Sequence, residues 1–260
     1  VFKSGYLYAP PQSSDKVLAG SVLTELVRVG VYGTDEHVIP EYTPISDQGS
    51  LSTCVANAVC DALEILLGIE NSNNVVQLSR LMTYWNARSY SKSTNLDNGT
   101  YIRDAVDSLR TLGVCPESVW PYDPSKVFVQ PPIRAYQESL DNKIEAYYSI
   151  SGNGKSRCDT VEHAIRSNHP VVLAMPVSDE FTKHFKADGK VWGPIKTWVG
   201  YHAMIVVGVR YINGVRQFKL RNSWGPQWGD AGHCWIEETY LGDSLVNDLW
   251  VLTRVPAFVF

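Results

Sequence analysis

The sequence predicts an α+β protein with a helical first half and a mostly β second half. Three observations carry this. Apolar residues recur at helical spacing between Cys54 and Gly113; beyond the proline-rich stretch Pro121 to Pro132 they give way to short β-rich runs; and Asn213-Gly214 marks a hairpin turn between two such runs. With 260 residues, 44% of them hydrophobic, the chain is long enough for a full core and for two lobes. Charged residues make up 19%, the formal net charge is -4 and there is no block of like charges. That pattern argues against nucleic acid or an anionic membrane surface as a partner. No apolar run approaches the roughly 18–20 residues of a spanning helix, since even Ala203 to Val209 is short and leads into Arg210. The chain begins at Val1 rather than at methionine, so localisation stays open.

Residues 1–30 read as an appendage: Gly5, Tyr6, Tyr8, Pro10, Pro11 and Gln12 suggest an extended, polyproline-like arm, followed by an apolar stretch from Val22 to Val29. Pro40, Pro44, Asp47 and Gly49 mark a loop. Ser52 and Thr53 are good helix caps before a run from Val55 to Leu67 that is apolar almost all round, broken mainly by Asn57, Asp61 and Glu64. The helix starting at Cys54 must therefore be buried, and Gly68 suits its C-terminal cap. Leu78, Leu81, Met82 and Trp85 share one helical face; Ile102, Ala105, Val106 and Leu109 share another, with Gly113 ending that helix. A short helix is expected after Cys158, with Asp159 and Glu162 placed like a capping box. Val171–Met175, Ala203–Ile212, Val215–Leu220, His233–Glu237 and Leu249–Val255 read as strands.

Five cysteines leave at least one without an intrachain partner. There is no Cys-x-x-Cys pair, and His163, His169, His184 and His233 do not fall at zinc spacing, so no metal site is expected. Cys54 stands at a helix N-terminus, where unpaired N–H groups favour the thiolate. Taken alone, a cysteine in that place is more often a small buried hydrophobe. Six residues earlier Gln48, in a glycine-containing loop, supplies an amide donor able to converge with the Cys54 N–H on an oxyanion. His202 follows Cys54 by 148 residues. It precedes the apolar strand Ala203 to Val209 and is the candidate base, far off in sequence but able to come close in space. Asn222, in Asn222-Ser223-Trp224-Gly225, can orient the imidazole without adding charge, and Trp224 would shield that hydrogen bond from water.

In this order the segments resemble the papain family of cysteine peptidases: Gln48-Gly49 leading to Cys54, Gly200-Tyr201-His202-Ala203, and Asn222-Ser223-Trp224-Gly225 with Trp228-Gly229. Gly113-Val114, Pro116-Glu117 and Trp120-Pro121-Tyr122 add to the likeness, which covers roughly residue 38 to the C-terminus. The resemblance implies a papain-like two-domain fold. A helical left domain (residues 31–140) would hold Cys54 and a β-barrel-like right domain (141–260) His202 and Asn222, with a cleft between them. It implies endopeptidase activity on protein or peptide substrates, through a thioester, by a monomer that needs no cofactor. Asn98-Gly99 matches a strand whose backbone pairs with substrate, and Ala174 and Ala203 match small residues lining the second subsite. Leu51 and Val55 depart from the family, which usually has a disulfide cysteine and a tryptophan there; the wording is closer to bacterial or viral members. Residues 1–30 are too short for the family's helical prodomain and are expected either to cover the cleft as a short inhibitory pro-segment or to pack on the outer surface. Exopeptidase, acyl-transferring and non-catalytic peptide-binding variants of the scaffold stay open.

Overall fold

A computed structural model describes residues 3–18 and 35–254. The apolar stretch Val22–Val29 and the end of the last expected strand, Val255, lie outside the described residues. Helix α1 (Cys54–Glu70) starts where the sequence places it and is buried on nearly every face. Its caps differ from expectation. Thr53 makes no capping bond, because its Oγ1 pairs with Tyr122 Oη at 2.6 Å and accepts from Asn57 Nδ2 at 3.1 Å. The helix also runs past Gly68 to a cap at Asn71. Gly68 serves close packing instead: a Cβ there would come within 2.0 Å of the Tyr42 ring.

Helices α2 (Arg80–Tyr90) and α3 (Ile102–Thr111) pack with α1. Ser79 caps α2 by accepting from the Met82 N–H at 3.2 Å. The faces read from the sequence are buried, with Trp85 half-buried at the rim. Short helices α4 (Ile133–Gln137), α6 (Asp179–Thr182) and α7 (Glu238–Leu241) fill connections. Helix α5 (Gly154–Arg166) begins before Cys158, so Asp159 and Glu162 lie inside it and form no capping box. They bind Arg216 at 2.8 and 2.9 Å instead, tying the helix to the sheet.

The strands are β1 (His37–Val38), β2 (Ala146–Ile150), β3 (Val171–Val177), β4 (Val191–Trp192), β5 (Gly200–Ile212), β6 (Val215–Arg221), β7 (His233–Glu237) and β8 (Asn247–Thr253). They form one sheet in the order β2-β8-β3-β5-β6-β7-β4, with β1 on β5. The fold is α+β and papain-like, but the sheet stays open at β2 and β4 rather than closing into a barrel. The β5–β6 turn has positive φ at both Asn213 (51°) and Gly214 (77°), as a two-residue hairpin requires. Among the described residues, no helix is long and apolar enough to cross a membrane.

The polar residues that interrupt α1 have buried partners. Arg80 of α2 donates to Asp61 at 2.6 Å and pairs with Glu64; Arg221 at the end of β6 reaches Asp61 at 3.2 Å and pairs with Glu41. This network joins the helices to the strand that leads into Asn222. Arg80→Ala leaves two buried carboxylates without their main counter-charge, and we expect it to lower unfolding free energy by about 3–5 kcal/mol, read from urea melts. A change under about 1 kcal/mol would show that the network is dispensable.

Candidate active site

Four chain segments meet at the start of α1. The loop 46–49 is knitted to the segment after β6: the Gln48 N–H donates to Ser223 O at 2.9 Å, Ser223 Oγ donates to Gln48 Oε1 at 2.8 Å, and the Gly225 N–H donates to Ser46 O at 2.9 Å. Gly49 takes φ +56° and donates its N–H to Asp47 Oδ1 at 2.9 Å, which makes the tight turn. Gln48 is buried, and its Nε2 donates to Leu51 O at 3.1 Å, so the amide has a fixed orientation. Tyr122 Oη adds a bond to Gln48 O at 2.8 Å while also meeting Thr53.

His202 enters from β5. Its Nε2 donates to Asn222 Oδ1 at 2.7 Å, an arrangement that fixes the neutral tautomer with the proton on Nε2. Trp224 stacks on the imidazole, ring centres 4.3 Å apart and planes 21° apart, and seals that bond from solvent. Cys54 lies across from this strand, and the backbone N–H groups around its sulfur, that of Ala203 foremost, act to lower the thiol's pKa. The structure thus brings Gln48, Cys54, His202, Asn222 and Trp224 together.

The site is closed. Cys54 and His202 are both 0% exposed. Burial pushes the Cys54 thiol up to about 11, outweighing the amide donors that pull it down. Burial likewise pushes His202 down to about 4, against the opposing bond to Asn222. At neutral pH the pair therefore holds a thiol and a neutral imidazole, and the thiolate expected from the helix N-terminus is overridden by desolvation. The cover is the N-terminal segment. The Gly5 backbone lies against the start of α1: a Cβ on Gly5 would lie 2.4 Å from Ser52 O and 3.0 Å from Cys54 N. The segment continues as a parallel bridge between Tyr6 and Thr100, with Thr100 N–H to Gly5 O and Leu7 N–H to Thr100 O both 3.0 Å. Arg103 anchors it further along through Asp15 at 2.7 and 2.9 Å, and Leu18 N–H donates to Ser149 O at 2.8 Å. Beside the site a cavity of about 780 Å³ is lined by Lys3, Gln48, Phe185, Val199 and Trp224 among others.

Of the expected substrate-binding residues, Ala174 and Ala203 are buried and directly opposite one another on β3 and β5. Asn98 is exposed, and Gly99 at φ +94° lies so close to Gly5 O that a Cβ would sit 2.5 Å away. The ladder bonds to the N-terminal segment run through Thr100, while the Gly99 N–H donates to Tyr84 Oη at 3.0 Å. Sequence reasoning missed what holds this strand. Asp97 Oδ1 accepts from the Ser52 N–H at 2.9 Å and from Tyr84 Oη at 3.0 Å, and Asp97 O accepts from Ser52 Oγ at 3.1 Å. These bonds clamp the loop before Cys54 to residues 97–99 with no disulfide: all five cysteines are free. Asp97→Ala strips the Ser52 N–H and the Tyr84 hydroxyl of their acceptor, and a loss of about 1–3 kcal/mol in unfolding free energy is expected in denaturant titrations. An unchanged midpoint and slope would deny the clamp any mechanical role.

Comparisons with known proteins identify the family. The model for papain family cysteine proteases matches residues 35–248. An uncharacterized peptidase C1-like protein of Acanthamoeba polyphaga mimivirus is 31% identical over 225 residues, covering 84% of this chain and 72% of its own length. Ananain of Ananas comosus is 28% identical over 196 residues, 74% of this chain, but only 51% of its own length is spanned. Among solved structures, xylellain, a cysteine protease from Xylella fastidiosa, aligns with a TM-score of 0.80 at 27% identity, over 98% of this chain and 97% of its own. With this match over most of its length, the chain belongs to the papain family of cysteine proteases and is a thiol-dependent peptide hydrolase.

Proposed function

We propose that this peptidase is an endopeptidase working through Cys54, His202 and Asn222, with Gln48 and the Cys54 N–H as oxyanion donors, and that the segment before residue 19 keeps it latent. The observation that carries the reading is His202 Nε2 bonded to Asn222 Oδ1 at 2.7 Å beneath Trp224, on the strand β5 that packs against the helix α1 that Cys54 opens. With Nε2 committed to Asn222, proton exchange with Cys54 and substrate falls to Nδ1. Once the site opens, water and peptide replace the cover and the pair relaxes toward thiolate and imidazolium.

The Cys54 sulfur then attacks the scissile carbonyl carbon, and the C=O π pair moves onto oxygen, where Gln48 Nε2 and the Cys54 N–H receive it. Collapse re-forms the carbonyl and breaks the C–N bond as His202 gives its proton to the leaving amine. His202 then takes a proton from water attacking the thioester, and the thiolate leaves with the acid product released. Asn222 holds the ring through both steps. On this reading residues 31–140 and 141–260 form the two walls of the site, and Asn98, Gly99, Ala174 and Ala203 line the path of the peptide.

The test is active-site labelling of the opened Gly5→Val chain with a thiol-directed irreversible peptidase inhibitor, followed by peptide mapping and an assay on a mixed peptide library. Label at Cys54 alone, with activity lost in proportion, is expected, and cleavage inside peptides marks an endopeptidase. Label at Cys60, Cys115, Cys158 or Cys234 with activity retained refutes the assignment. An added amine that captures the acyl group in preference to water would place the chain among acyl-transfer enzymes instead.

A further inference from the structure

The tyrosine of Trp120-Pro121-Tyr122 lies far along the chain from Cys54, yet its side chain reaches both segments that carry the oxyanion donors. The Tyr122 N–H donates to a Glu117 carboxylate oxygen, and its half-buried ring packs with Leu51, Ala56 and Leu81. Its hydroxyl bonds to Gln48 O at 2.8 Å and to Thr53 Oγ1, one residue before Cys54, at 2.6 Å. One phenol thus bridges the loop of the Gln48 amide and the start of the helix that offers the Cys54 N–H.

The chemistry of the partners assigns the protons. A carbonyl oxygen can only accept, so the Tyr122 proton goes to Gln48 O. Thr53 Oγ1 must then donate to Tyr122 Oη, and it accepts in turn from Asn57 Nδ2 at 3.1 Å. The result is a directed chain from Asn57 through Thr53 and Tyr122 to Gln48, in which each bond polarises the next. Asn57 also fixes the second donor: its Nδ2 and its N–H each donate to Thr53 O at 2.9 Å. That carbonyl shares a peptide plane with the Cys54 N–H, so holding one aims the other. At the far end Gln48 Nε2 gives one of its two protons to Leu51 O at 3.1 Å, which leaves the second for the oxyanion. Thr53 and Asn57 are buried, and burial pushes the Tyr122 phenol above its ordinary value, so the chain keeps its protons at working pH.

Resting on the oxyanion role read above for Gln48, we propose that Tyr122 is a positioning residue: its hydroxyl sets the spacing of the two oxyanion donors, the Gln48 amide and the Cys54 N–H. It acts through those two groups and is not itself catalytic. Donors aimed at a developing oxyanion work over a narrow range of geometry, and a misplacement of about 1 Å can cost about a hundredfold in rate. Tyr122→Phe keeps the ring and its packing but cuts the chain in its middle, leaving Gln48 O only the Leu51 N–H at 3.3 Å.

The test uses the full chain in the Gly5→Val background. Tyr122→Phe should lower kcat about tenfold while KM stays within about twofold. A peptide aldehyde, whose adduct with Cys54 places its oxygen on the oxyanion donors, should bind about tenfold more weakly. Alkylation of Cys54 by iodoacetamide, in which the sulfur displaces iodide and no oxyanion forms, should change by less than about twofold. Thr53→Val removes the neighbouring hydroxyl and should match Tyr122→Phe; Thr53→Ser keeps it and should restore aldehyde affinity. In a Gln48→Ala chain Tyr122→Phe should add less than about twofold, because the donor it positions is gone. Alkylation that falls in step with aldehyde affinity, or an equal Tyr122→Phe effect with and without Gln48, overturns the proposal in favour of a general disturbance. Aldehyde affinity lost in Gln48→Ala but kept in Tyr122→Phe overturns it while the oxyanion reading stands, and affinity kept in Gln48→Ala refutes both.

Discussion

Cys54→Ala is expected to lower kcat/KM on a peptide substrate by at least about four orders of magnitude, and Gln48→Ala by about two to three. The difference follows from what each residue does. Without Cys54 there is no thioester, so the amide bond must be broken in one step by water, with only binding and the oxyanion donors left to help. Without Gln48 the covalent route survives, but the oxyanion keeps a single backbone donor in a dry site, where one lost hydrogen bond is costly. Gln48 has a second duty, since Ser223 Oγ donates to it at 2.8 Å and its own Nε2 holds Leu51 O at 3.1 Å. Stability must therefore be followed beside activity. The control is Gln48→Glu, which keeps the acceptor for Ser223 and replaces the donor with a negative charge. Loss of activity in Gln48→Glu with unfolding midpoints near wild type assigns the effect to the oxyanion. Residual activity of Cys54→Ala above about 1% would remove Cys54 from the mechanism.

The residues proposed for the chemistry stand out in the sequence because the roles proposed for them demand rare residue types at fixed places in the chain. A helix starting at Cys54, a histidine opening a long apolar strand and an asparagine after the returning hairpin need no knowledge of packing to be found. The elements around them were harder. Strand β2, Ala146–Ile150, is half-buried at a sheet edge and carries two adjacent tyrosines, so no clean alternation announces it. Strand β4 is two residues long and exists because β7 offers it a partner. The capping box read at Asp159 and Glu162 failed because Arg216, distant in sequence, recruits both carboxylates into the middle of a longer helix. Asp97 gave no signal at all: an aspartate before Asn-Gly looks like turn chemistry, and only the folded chain shows it accepting from Ser52 and Tyr84.

The second large effect concerns the cover itself. Gly5→Val in the full chain is expected to speed alkylation of Cys54 by a small neutral reagent at pH 7 by about a hundredfold or more. The steric part is direct, because a Cβ at Gly5 would stand 2.4 Å from the Ser52 carbonyl oxygen, backbone that cannot swing aside. The electrostatic part sets the size. With the thiol at about 11 under the cover, the thiolate fraction at pH 7 is about one in ten thousand; at the ordinary value of 9.0 it is about one in a hundred, before the imidazole adds its own pull. Linkage also fixes how closure depends on pH. The raised thiol favours the closed state fully below about 9, and that advantage is lost as pH climbs toward about 11. The lowered imidazole favours closure fully above its ordinary 6.5, and that advantage is lost as pH falls toward about 4. Each amounts to roughly 3 kcal/mol if the open state restores ordinary values. Asp248, whose carboxyl burial raises, opposes the acid limb by favouring closure as pH drops, but the larger displacement of His202 sets the direction. Corrected for the reagent's intrinsic dependence on thiolate, wild-type access to Cys54 should be lowest between about 6.5 and 9 and rise on both sides. Gly5→Val should flatten that curve. Equal alkylation rates at pH 7 for wild type and a Gly5→Val chain with an unchanged melting temperature would mean that the segment before residue 19 does not keep the enzyme latent.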